Sequence, residues 1–197
     1  MSRQRLLEQL RAHRAEAGRE QRMLERIIAF VEAHADCFER RLAVGHVTGS
    51  AWVVDRERRH ALLTHHAKLG KWLQLGGHCD GDSDVLRVAL REVAEESGLE
   101  NVQPLLGGGV FDVDAHEIPA RGAEPAHVHY DIRFLAEADR NAPLRLSAES
   151  RELRWVAYEQ IPQLNTDESV LRMLRKSPRH GSDGDCGGTR RQRGDRD

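Results

Sequence analysis

A chain of 197 residues, 39% of them hydrophobic, can bury a substantial core. Its 30 Lys and Arg stand against 32 Asp and Glu, and the formal net charge of -2 argues against a dedicated nucleic-acid surface. No apolar run approaches the roughly 20 residues needed to cross a bilayer, the N-terminal stretch is too charged for a secretory signal, and Cys37, Cys79 and Cys186 suit reduced thiols, so a cytoplasmic protein is expected.

From Arg5 to Phe38 apolar residues recur at helical spacing, first Leu6, Leu7 and Leu10, then Met23, Leu24, Ile27, Ile28 and Val31. Gly18 interrupts the period, so two helices are predicted, forming an N-terminal extension over 1–40. Such stripes usually bury against their own domain, and packing is favoured over a dimerisation or substrate-capping role, which leaves a homodimer open. The next runs, AVGHVTGSAWVV and RRHALLTHH, read as strands joined by a charged turn at Asp55 to Arg59.

The segment Gly76 to Leu99, GGHCDGDSDVLRVALREVAEESGL, predicts a helix that follows a glycine turn and stops at Gly98. Glu92, Glu95 and Glu96 share one face, while Leu86, Ala89, Leu90 and Val93 are spaced to pack the other. Three like charges so close together repel unless a cation lies between them, and oxygen donors suit Mg2+ or Mn2+ with substrate phosphates in the remaining positions. Arg91 is placed to hold Glu92 and Glu95 by charge-assisted hydrogen bonds. The plainer alternative is an amphipathic helix with a solvated acidic face.

Downstream, HVHYDIRFLAEA and RELRWVAY read as further strands, Ser169 to Lys176 as a terminal helix, and 177–197 as a disordered polar tail. His127 and His129 fall on the same face of their strand, lining a substrate cleft or packing on a half-exposed sheet; the pattern leaves both open. His65, His66, His78 and Cys79 have ligand chemistry for zinc, but adjacent pairs lack the two-residue gap that lets side chains converge on one ion, so contact with substrate, or no chemical role, is preferred.

These residues carry a family resemblance. Gly77, Arg91, Glu92, Val93, Glu95, Glu96, Gly98 and Leu99 match the Nudix box, G-x5-E-x7-R-E-U-x-E-E-x-G-U with U aliphatic, and the resemblance extends over about residues 43–175. The first box glutamate is replaced by Ser83, with Asp82 and Asp84 beside it as possible substitutes, and Leu75 stands where a proline often precedes the glycines.

The resemblance implies an α/β fold, a mixed β-sheet sandwiched between helices, over a domain at 41–176. It implies metal-dependent hydrolysis of a phosphoanhydride in a nucleoside diphosphate linked to another moiety X, whose identity the box does not reveal. Glu92, Glu95 and Glu96 are the expected ligands, with Glu95, Glu96 and Arg91 as the catalytic set and the Gly76–Gly77 backbone shaping the turn. A glutamate outside the box often assists metal or water in this family, and Glu149 and Glu152 match by position. Two alternatives share the fold: a ligand-binding or sensor module without turnover, suggested by Ser83, and a prenyl-diphosphate isomerase, suggested by Cys79.

Overall fold

The longest ladder in the protein joins two strands far apart in sequence, β1 (Gly45–Val54) and β7 (His127–Glu137), which run parallel from the Gly45–Val128 pair to Val54–Glu137. A computed structural model describes residues 2–122, 125–148 and 150–177; the expected tail beyond Ser177, together with Glu124, Glu149 and Cys186, lies outside them. The other strands are antiparallel to these two or to their neighbours. β2 (His60–His66) pairs with β1 at one end, with β3 (Trp72–Leu73) and with β8 (Ser150–Ala157). β4 (Leu75–His78) pairs with the middle of β1, while β5 (Gln103–Pro104) and β6 (Val110–Ile118) pair with β7.

β6 has no counterpart in the strands read from the sequence, because Asp112 and Asp114 interrupt its apolar pattern. Both are buried all the same. Arg172 grips Asp112 with two bonds of 2.7 Å, and Arg133 reaches Asp112 at 3.3 Å and Asp131 at 2.8 Å. Buried carboxylates are tolerated when paired and hydrogen-bonded, so the arginines on β7 and the last helix let this strand form.

Helices cover both faces of the mixed sheet. The period around Gly18 resolves into α1 (Arg3–Ala12) and α2 (Arg19–Ala33), whose Leu6, Leu10, Ile27 and Val31 enter one apolar cluster with Val47, Ala51, Val113 and Ile132. Phe30 stacks on Tyr130 with ring centroids 3.9 Å apart. α3 (Val85–Ser97) packs into the same cluster. On the opposite face, Val170, Met173 and Leu174 of α4 (Glu168–Lys176) meet Trp52, Leu63, Phe111 and Leu135. Alternation along β1 explains the division: Val47, Ala51 and Val53 turn toward α1 to α3, whereas His46, Thr48, Ser50, Trp52 and Val54 turn the other way.

Candidate functional site

α3 begins where the Asp84 carboxylate accepts from the Arg87 N–H, and it ends at Gly98, whose left-handed backbone (φ 74°) caps the last turn. Val85, Val88, Ala89 and Val93 are its most buried residues, and Leu86 and Leu90 pack at the margin. The face predicted from Leu86, Ala89, Leu90 and Val93 is thus rotated slightly toward Val88.

The acidic face lies along the glycine turn. Glu92 is set so close to Gly77 that any Cβ there would collide with its carboxylate, and a Cβ at Gly76 would collide with Ser50. At Gly76 the neighbouring strand leaves no room for a side chain, whereas at Gly77 a side chain would displace the Glu92 carboxylate. The Gly76 N–H donates to Glu96 Oε2 at 3.2 Å. Arg91 Nη2 donates to Glu92 Oε1 at 2.6 Å and to the His78 carbonyl at 3.2 Å, tying the helix to β4, while Glu95 lies 3.7 Å from Arg91 Nε with 62% of its side chain exposed. The bond to Glu92 raises the Arg91 pKa further, so its positive charge is permanent. The three glutamates therefore share one helix face, with Glu92 and Glu96 against the turn and Glu95 in water.

A second constellation lies across the sheet. Gly77 pairs with Gly49 and faces α3, so His78, one residue on and opposite Thr48, points to the other face. There it meets His46, in register with His129 on the parallel strand β7. Among the described residues, the group of three or more potential metal donors whose ligand atoms all lie within 4.8 Å of one another is His46, His127 and His129. His129 Nε2 is 3.2 Å from His127 Nε2 and 3.3 Å from His78 Nε2, and the His116 ring meets His129 edge-on at 5.5 Å. Burial and the surrounding imidazoles push His46 down to about 4 and His129 down to about 2, so both are neutral at physiological pH. The same face continues into Thr48 and Ser50, whose hydroxyls donate to Asp131 at 3.0 and 2.9 Å.

The sequence pointed to His127 and His129 as a pair and missed His46, which reads only as part of a strand. It also grouped His78 with the wrong partners. His65 stacks on Trp72, His66 Nδ1 accepts from the Lys68 and Leu69 N–H groups, and Cys79 is 1% exposed with its thiol pushed up by burial. The two aspartates beside Ser83 already have structural duties: Asp84 caps α3, and Asp82 accepts from the Asp84 N–H and pairs with Arg87 at 2.7 Å. Glu152 lies on β8 opposite His65, half-exposed and 3.2 Å from Arg154.

Comparison with known proteins places this arrangement among relatives. A family model described as the NUDIX domain matches residues 45–176. The Mus musculus protein named bis(5'-nucleosyl)-tetraphosphatase (asymmetrical) is 35% identical over 94 residues, 47% of this chain and 60% of that relative's own length. Among solved structures, an E. coli dihydroneopterin triphosphate pyrophosphohydrolase aligns with TM-score 0.54 at 13% identity, covering 66% of this chain and 92% of that one. A C. elegans Ap4A hydrolase binary complex aligns with TM-score 0.53 at 18% identity, covering 66% and 93%. At such identities the likeness is one of fold.

Proposed function

We propose, from the premise that the chain belongs to the Nudix family, that it is a pyrophosphohydrolase cleaving a phosphoanhydride bond in a nucleoside diphosphate linked to another moiety. The observation that carries the reading is the box helix itself, with Arg91 bonded to Glu92 and with Glu92 and Glu96 seated on the Gly76–Gly77 turn.

The donor set fits the divalent metal that the family implies. Glu92, Glu95 and Glu96 are hard oxygen donors on one helix face, beside a turn too tight for any side chain to intrude. These three would hold Mg2+ or Mn2+, which supplies polarisation of phosphate oxygens and a lowered pKa for the attacking water. Arg91 fixes the Glu92 carboxylate and, through the His78 carbonyl, the helix to the strand. The exposed Glu95 lies at the open side, where a hydrated ion and a charged substrate would keep part of their water. To act as an additional base, Glu152 has to release Arg154.

The relative's name makes a dinucleoside tetraphosphate the first substrate to try. The test is phosphate release from a panel of nucleoside diphosphate derivatives with Mg2+ or Mn2+, coupled to a phosphatase that reveals monoester products. Glu96→Gln is expected to lower kcat by about a hundredfold or more at unchanged fold. A loss below about threefold removes Glu96 from the ligand set. The isomerase alternative is disfavoured by the burial of Cys79, and Cys79→Ser is expected to leave hydrolysis largely intact. Absence of turnover across the panel by a folded protein that still binds metal favours the binding module.

A further inference from the structure

Five of the chain's 11 histidines, His46, His78, His116, His127 and His129, gather on one sheet face, although they come from four strands. Ordinary packing does not explain the cluster. His46 is 1% exposed, and neither of its ring nitrogens has a hydrogen-bond partner among the described residues. A buried polar group left unsatisfied carries a desolvation cost that an apolar residue at the same position would avoid.

His127 Nδ1 lies 2.9 Å from the Pro125 carbonyl, which can only accept, so Nδ1 carries the proton and Nε2 presents a lone pair. A cation held between His46, His127 and His129 gives the unpartnered His46 ring the interaction it lacks. The spacing agrees: zinc–imidazole bonds of about 2.0–2.1 Å in a tetrahedron put neighbouring nitrogens about 3.3–3.4 Å apart. The contacts at His129 are 3.2 and 3.3 Å.

From this geometry we propose that His46, His127 and His129 form a binding site for a divalent transition-metal ion of the zinc class, with the His78 ring beside it at 3.3 Å from His129 Nε2. All three donors are nitrogens, which favour zinc, cobalt or nickel over the magnesium and manganese suited to the carboxylates of α3. The Pro125 carbonyl orients His127 from outside, in the manner of an outer-shell partner. The site rests on the imidazoles alone and stands whether or not the box hydrolyses a phosphoanhydride.

The test loads metal-stripped full-length protein with Co2+ and with Zn2+, reading cobalt's visible ligand-field spectrum, zinc content by elemental analysis and the zinc-induced shift in Tm. The wild type is expected to bind about one ion per chain, with the intense cobalt bands of four-coordinate ligation. Glu92→Gln/Glu95→Gln/Glu96→Gln is expected to retain them. His129→Asn, and independently His127→Gln, are expected to weaken binding by more than about tenfold, the lower end for loss even of outer-shell groups. Circular dichroism on the stripped variants checks that they fold. Signal that survives in both folded histidine variants, or that disappears with the glutamates, overturns the proposal, as does a wild type that binds neither ion.

Discussion

The two candidate centres are separated by the thickness of one strand and have opposite physical characters. The carboxylates come from a single helix face, are negatively charged, and reach water through Glu95. The imidazoles come from β1, β4 and β7 and include a His46 almost wholly out of water. Charged oxygen donors cannot be desolvated without a compensating cation and so lie at an open edge, whereas neutral imidazoles can be buried at much smaller cost. His78 connects the two: its carbonyl accepts from Arg91 on one side, and its ring joins the cluster on the other.

This contrast can be broken experimentally. The face carrying the imidazoles continues into the buried network of Asp112, Asp131, Arg133 and Arg172, so damage there is expected to appear as lost stability. Asp112→Ala leaves two buried arginines short of a partner and is expected to cost about 3–5 kcal/mol, read by urea unfolding. A cost under about 1 kcal/mol would show that the network is not a structural element.

A related effect sharpens the boundary with the N-terminal helices. Burial alone would raise the Glu20 pKa, but hydrogen bonds from His13, Lys176 and the Glu16 N–H outweigh it and hold the carboxylate down to about 2. Because the folded value lies below the unfolded one, the stabilisation is present above about pH 4.5 and is lost as pH falls toward 2. Glu20→Gln is expected to remove on the order of 3 kcal/mol at neutral pH and to flatten stability across that acid window. An unchanged acid profile would mean that other carboxylates govern it.

On the helix side the expected loss is in turnover. Glu96→Gln, at about a hundredfold in kcat or roughly 2.7 kcal/mol, is expected to leave the urea midpoint and imidazole-bound metal unchanged. Loss of both signals together would make the two centres one. The smallest expected effect is Asp84→Ala, which removes the cap of α3 at a cost of about 1 kcal/mol and leaves metal binding by the glutamates intact. A large loss of activity at unchanged stability would instead give Asp84 the role of the missing box glutamate.

The helix-borne centre was legible because every one of its residues lies within Gly76 to Leu99, where helical spacing alone fixes which side chains share a face. The strands 43–54, 58–66, 127–138 and 151–158 were readable for a similar local reason, their alternating or continuous apolar pattern. β6 was not, because its two aspartates are acceptable inside the protein through distant cationic partners such as Arg133 and Arg172, which are 21 and 60 residues from Asp112. The imidazole cluster lay further out of reach: the sequence marks His127 and His129 as one face, yet nothing local says that His46 is their neighbour. That proximity comes from the parallel β1–β7 register, which pairs His46 with His129 across 83 positions of chain. Spacing along the chain determines chemistry within a turn of helix or a stretch of strand; the meeting of side chains from different strands is decided by the sheet.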